Sequence, residues 1–326
     1  MQKHNAAIYL LSSRVRLLEE CLLHLYKNWN FQYDYPVYVH HFDNIYSEEF
    51  KNRVKNNISS KIYFYQIDYE IPSFINETEL FYNRKYLEYV KEGFSKKRVG
   101  YLHMIHFASN ITSFGKKGCL VKELKQFDKL MKIDDDSNFK SKIKFDLFDV
   151  LDNYPFATGY TWSKQSYREL DTRENLWKFY KQYISDKKII PKSKILEKAI
   201  KENDEKLMHS LKWSAGNLNL YNMNIFKNNE QWDNYSREIN NSGGAYKHRW
   251  GDIEIIDLFF HTYLTKPFDL KLKDKNLYSN KFPSIFSDIA PSVGTSFNTH
   301  NFLPLKWFGQ IKNFIKKFIG KSTFKR

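Results

Sequence analysis

Apolar and polar positions fall into a β-α-β-α-β order over the N-terminal part of the chain. A short apolar run at 7–12 predicts a first strand. Residues 14–29 follow with Leu17, Leu18, Cys21, Leu22 and Leu25 on one face, the spacing of an amphipathic helix. A second strand is expected at 36–43. Ser47-Glu48-Glu49-Phe50 reads as a capped helix start leading through Val54, and 62–67 alternates as a third strand. Strands separated by helices in this way imply a parallel sheet whose ligands gather at the carboxyl ends of its strands.

Further along, the polar stretch 78–97 is expected to be helical. At 99–109, His103 and His106 lie among apolar residues, which predicts a helix laid over the sheet. Phe127 to Ile133 predicts a buried strand, 145–151 a short helix and 157–162 another strand. Residues 176–185 and 195–212 each read as one helix, and 253–264 as an apolar one.

The strand at 127–133 runs directly into Asp134-Asp135-Asp136. Carboxylates at i and i+2 beyond a strand end can both turn toward one hard cation, and Mg²⁺ or Mn²⁺ prefers such oxygen ligands. A solvated acidic turn is the plainer reading. A calcium loop is set aside: Asp134, Asp136 and Asn138 match its first ligands, but Phe139 stands where Gly is needed and Phe145 where Glu is needed. Two other stretches stand out. Trp213 to Tyr221 has small residues where backbone can approach a ligand. Asn240 to Asp252 is a glycine turn followed by a dense polar and aromatic run, a candidate site or else a surface turn with Asp252 as a cap.

Composition narrows the class. A chain of 326 residues with 42% hydrophobic content can bury a substantial core. Two cysteines, Cys21 and Cys119, fit a reducing compartment and argue against a disulfide scaffold. No run of about twenty apolar residues is present to span a bilayer, and the N-terminus lacks a secretory pattern. The net charge of +15 raises nucleic acid or anionic membrane as partners. Its placement favours the membrane. Residues 305–326 carry seven Lys and Arg and no acid, with Trp307, Phe308, Ile311, Ile315, Phe318 and Ile319 forming an apolar stripe. We therefore expect a basic amphipathic helix at 305–326 that lies on an anionic membrane surface, beside a catalytic domain at 1–304, and no nucleic-acid partner.

Taken together, these stretches resemble glycosyltransferase family 15, the fungal Golgi α-1,2-mannosyltransferases. Tyr35-Pro36 with the strand after it, then Ser47-Glu48-Glu49-Phe50-Lys51, resemble the family's "YPWVFLND…TEEFK". Tyr101 to Phe107 is similar to "YRHMCRF", and Ile133-Asp134-Asp135-Asp136 falls at "VEPD". Ser242 to Asp252 is similar to "SGGFYYERWGD". The resemblance covers residues 6–264. It implies an α/β GT-A nucleotide-sugar-binding sandwich, with a central mixed, mostly parallel sheet flanked by helices. It also implies retaining transfer of a hexose, mannose from GDP-mannose, to a sugar hydroxyl of a glycan acceptor with Mn²⁺ or Mg²⁺. Asp134 and Asp136 then hold the metal and diphosphate. Tyr101 stands near the nucleotide and reacting centre, Arg249 pairs with phosphate, and Asp252 pairs with a sugar hydroxyl.

Departures shape the expected chemistry. The family's "FEIANLNFW" carries a glutamate read as a nucleophile; aligned on Asn217-Leu218-Asn219, that position is Ser214. Serine cannot be that carboxylate, so same-face attack by the acceptor replaces double displacement. The arginines of "YRHMCRF" are Leu102 and His106 here. The family's "GYYH" metal histidine has no clear counterpart, leaving Ser279, Asn280 or His300 for a third ligand. Lacking the relatives' membrane anchor, the chain is expected to be cytoplasmic and peripherally bound to the inner leaflet. Alternative readings are a transferase using a UDP-hexose for capsule or lipid-linked polysaccharide, and a non-catalytic carbohydrate- or membrane-binding protein.

Overall fold

The computed structural model describes residues 4–42, 44–67, 70–85, 99–110, 121–137, 139, 142–159, 161–162, 172–214 and 216–264. The first strand, β1 (Ala6–Leu11), leads into helix α1 (Val15–Leu25). Beyond α1 the expected single helix widens into a π-type segment, Tyr26–Asn30, and one further turn ends at Asp34 in a left-handed conformation. β2 (Val37–His41) follows, then α2 (Glu48–Asn57), whose N-cap Ser47 accepts a hydrogen bond from the Phe50 amide at 3.2 Å. β3 (Ile62–Gln66) completes the repeating unit.

The stretch expected to be helical at 78–97 is broken where it is described. A short 3₁₀ turn at Glu77–Glu79 gives way at Leu80, whose extended backbone separates it from a single helical turn, Phe81–Arg84; residues 86–98 lie outside the described ones. α3 (Val99–Asn110) and β4 (Lys129–Ile133) form as anticipated, and a 3₁₀ segment occupies Leu147–Asp152. The strand expected at 157–162 divides into β5 (Phe156–Thr158) and β6 (Thr161–Trp162), which join different sheets.

Helix α4 (Leu176–Asp186) precedes α5 (Lys194–Glu202) and α6 (Glu205–His209). The single helix expected at 195–212 fails because Asn203 adopts φ +53° and Asp204 caps a new helix through the Leu207 amide. β7 (Trp213–Ser214) and β8 (Leu218–Asn222) come next. α7 (Glu230–Ser242) was not anticipated, and α8 (Asp252–Tyr263) closes the described chain.

Six strands form the main sheet in the order β3-β2-β1-β4-β8-β5. β1 to β4 are parallel, and β8 pairs antiparallel with both β4 and β5. β6 and β7 make a separate antiparallel pair. Strand alternation sends Ala7, Tyr9, Leu130 and Tyr221 into a core shared with α4, α7 and α8. Ile8, Leu10, Met131, Leu218 and Leu220 enter the core under α1. Among the described residues no helix is long and apolar enough to cross a membrane. Residues 265–326, which include the expected basic helix at 305–326 and all three expected third metal ligands, lie outside the described ones.

Gly244 follows the left-handed residue Gly243 that ends α7, and a Cβ on it would run into the Trp250 ring. Its own backbone tolerates any residue, so the clash alone decides the outcome. Gly244→Ala is expected to destabilise the fold by about 1–3 kcal/mol, measured by urea unfolding.

Candidate active site

The acidic turn stands where β4 ends, beside the end of β1, and its three acids have separate tasks. Asp135 is held from β1's side: Ser12 Oγ donates to it at 2.5 Å, the Arg14 guanidinium pairs with it, and the Tyr46 hydroxyl braces Ser12 at 2.6 Å. Burial raises the Asp135 carboxyl above the usual range, with Arg14 and Ser12 opposing the rise. Asp135 thus locks the turn, and Arg14 also reaches Asp136 at 3.1 Å.

Asp134 is the open member, with 42% of its side chain exposed. Desolvation on its inner side leads in pushing its carboxyl up to about 6. Lys132 opposes the rise, while repulsion from Asp136, Asp252 and Asp135 adds to it. That surplus of carboxylate charge is the environment that a hard divalent cation relieves, and every donor in it is oxygen. The donor set of Asp134 and Asp136 is of the oxygen type that such an ion takes.

Lys132, two residues before Asp134, was missed as a site residue. Alternation points its side chain to the α8 side of the sheet, where Nζ donates to the Gly216 carbonyl at 2.9 Å and to Asp252 at 3.1 Å, with Asp134 at 3.5 Å. Burial works against its charge, but Asp134 and Asp252 more than restore it and raise its pKa. This ammonium joins the acidic turn to the first turn of α8. Gly251, rather than Asp252, is the N-cap of that helix, which frees the Asp252 carboxylate for Lys132.

Arg249 and Tyr101 belong to the same cluster. Arg249 has φ +56°, a conformation that non-glycine residues rarely hold without support. Its guanidinium lies over the Tyr101 ring at 4.7 Å and the Phe81 ring at 6.0 Å. Burial pushes the Tyr101 hydroxyl up to about 12, with Arg249 pulling it down and Asp252 acting upward. Ser214 is placed differently. Its amide and hydroxyl both donate to Asp257 of α8, at 2.6 and 3.0 Å, and this carboxyl is fully buried and raised well above its usual range by burial. The serine serves an interior carboxylate that the sequence reading did not pick out.

A second cluster stitches the flank. Glu174 accepts from Arg84 at 3.1 and 2.7 Å, and His248 Nδ1 lies 3.3 Å away. The His248 ring stacks on Trp250. Despite partial burial, His248 and Arg84 bring the Glu174 carboxyl down to about 2. His4, Asp149 and Asp152 also converge, but the Lys129 ammonium donates to His4 at 3.1 Å and to Asp152 at 2.5 Å, supplying the cation there.

A mixed six-stranded sheet flanked by helices, with the acidic turn at the end of β4, defines a GT-A-like α/β fold. The chain is a member of the glycolipid 2-alpha-mannosyltransferase family, whose profile matches residues 1–271. It is 32% identical over 167 residues to a probable mannosyltransferase, MNT3, of Candida albicans, covering 51% of this chain and 40% of that protein. It thus spans less than half the length of that curated relative. Core-mannan synthase A (CmsA/Ktr4) of Aspergillus fumigatus, solved in an Mn/GDP form, superposes with a TM-score of 0.65 at 18% identity, over 80% of this chain and 70% of that one. The mannosyltransferase Ktr4p of S. cerevisiae in complex with GDP gives 0.63 at 18% identity, over 80% and 67%.

Two outcomes test these assignments. Lys132→Met leaves Asp252 buried without its counter-charge and should cost about 3–5 kcal/mol in urea unfolding; adding Asp252→Asn should recover part of the loss. Glu174 has a folded pKa near 2, below the 4.5 of a free glutamate. Its stabilisation is complete above the unfolded value and is lost as pH falls toward 2. Glu174→Gln should therefore lower stability by about 1–3 kcal/mol at neutral pH, and the gap in Tm from the parent should close on acidification below 4.5.

Proposed function

We propose that this protein transfers mannose from GDP-mannose to a hydroxyl of a glycan, retaining the anomeric configuration. The observation that carries the reading is the convergence, around one buried lysine, of Asp134 beyond β4 and Asp252 of α8, with Arg249 and Tyr101 in the same electrostatic field. Family membership supports the mannose and α-1,2 assignments. The Mn and GDP forms of the Ktr4 structures support the donor base and the cation.

Asp134 and Asp136 would hold the divalent ion, and Mn²⁺ or Mg²⁺ bound there with the donor would neutralise charge developing on the diphosphate. Arg249 offers a fixed guanidinium for a phosphate oxygen, since its backbone and the Tyr101 face restrict its swing. Lys132, donating to Asp252 at 3.1 Å, holds this carboxylate in place to accept a hydrogen bond from a sugar hydroxyl. The family's nucleophile position offers only Ser214, already donating to Asp257, which favours attack on the donor's own face. In that step the bond between the anomeric carbon and the diphosphate oxygen breaks while the acceptor oxygen bonds to the same carbon. The acceptor's proton passes to the departing phosphate oxygen. Positioning and charge stabilisation then supply most of the barrier reduction.

Thermal unfolding with GDP, UDP and their hexose derivatives, each with and without Mn²⁺, tests the reading, because a ligand bound only to the folded state raises its Tm. GDP with Mn²⁺ should stabilise the parent, and Asp136→Ala should abolish the Mn²⁺-dependent part. Stabilisation by UDP alone would redirect the donor to a UDP-hexose. Binding without transfer to any acceptor would leave a carbohydrate-binding protein.

The charge and apolar stripe of 305–326 support a peripheral location on an anionic, cytoplasm-facing leaflet. The 326-residue chain should float with vesicles containing phosphatidylserine, and a chain ending at Leu303 should not. Equal flotation of the two would remove the tail from membrane binding.

A further inference from the structure

Asn217, just before β8, and Asn219, within it, have no part in the site described above. Asn217 is 4% exposed, and its carboxamide finds no hydrogen-bond partner at either Oδ1 or Nδ2 among the described residues. Asn219 is fully buried; its Nδ2 donates to the Gly216 carbonyl at 3.3 Å, while its Oδ1 has no partner. Buried polar atoms are nearly always paired, so three orphans on neighbouring amides require an explanation.

Their location supplies one. The Asn217 carbonyl accepts from the Asp134 amide at 3.0 Å, continuing the β4–β8 ladder to the acidic turn, and Asn219 stands opposite Lys132 in the register. Alternation places the Asn219 amide on the α8 side of the sheet with Lys132, and Asn217 lies one residue before the strand, beside Asp134. The Gly216 carbonyl accepts from both Lys132 and Asn219, tying the amides to the site's central cation.

We infer that Asn217 and Asn219 bind adjacent hydroxyls of the hexose carried by the donor, and so determine which sugar is accepted. The unmet atoms decide the ligand chemistry. They are one N–H donor and two carbonyl acceptors. A phosphate oxygen only accepts, so it would serve Nδ2 and leave both Oδ1 atoms unmet. A cation would serve the oxygens and repel the amide hydrogen. A pair of vicinal hydroxyls both donates and accepts, so it can serve all three. The ribose of the nucleotide carries the same group, and the arms of the experiment separate the two. This inference rests on the transferase reading given above.

The experiment compares GDP and GDP-mannose, each with Mn²⁺, on the parent, Asn217→Ala, Asn219→Ala and Asn217→Asp, by isothermal titration calorimetry and thermal unfolding. Both alanine variants should keep the parent's affinity for GDP and lose about tenfold for GDP-mannose. Asn217→Asp retains the side chain's size but not its donor, and should show the same selective loss even if the alanine change impairs folding. Turnover should change mainly through KM, with reduced discrimination between GDP-mannose and GDP-glucose. An equal loss for GDP would assign the amides to the ribose and overturn the inference. Unchanged affinity for both ligands would overturn it too, making the amides structural. Failure of the parent to bind either ligand would instead remove the transferase reading, and this inference with it.

Discussion

A lysine ammonium enclosed by two carboxylates and a peptide carbonyl is the interaction on which the site depends. Lys132 belongs to a central strand, Asp252 to the first turn of α8, and Gly216 to the approach to β8. β4 and β8 pair directly and pack against α8 through the core, and this cation is the polar tie among the three. Without it, Asp252 would sit in the interior as an uncompensated charge, a situation that proteins avoid at almost any cost in packing. The same ammonium restrains the open acid Asp134 without occupying it: at 3.5 Å the contact is looser than the one to Asp252.

Charge around the turn is divided rather than pooled. Asp135 takes Ser12 and Arg14 and is withdrawn from solvent. Asp136 shares Arg14, and Asp134 remains the exposed carboxylate with a raised pKa. One acid fixes geometry so that its neighbours need not. The helical side repeats the logic, with Arg249 held by a rarely used backbone conformation and by the faces of Tyr101 and Phe81.

Much of this was legible in the sequence, for identifiable reasons. β1 to β4 were readable because buried parallel strands are short apolar runs, and Ser47 with Glu48 and Glu49 announces a helix start. The acidic turn was legible as three acids beyond such a run. The break at Asn203-Asp204 was also written, as a left-handed residue followed by a cap, but strong periodicity on both sides concealed it. Helix α7 escaped because few of its residues are apolar, although Trp232, Tyr235 and Ile239 form its buried stripe. Nothing local could reveal the pairing of Lys132 with Asp252, 120 residues away, or of Ser214 with Asp257. Such contacts exist only once the sheet has closed against α8.

Because β8 runs against its neighbours, it enters the sheet at the very edge where β4 leaves it. Successive residues there serve opposite faces of the sheet. A substitution at Leu218 or Leu220 falls on the core under α1, whereas one at Asn219 falls on the side of the sheet that holds Lys132. Scaffold and site thus alternate along one strand, so a change on one face leaves the packing of the other in place.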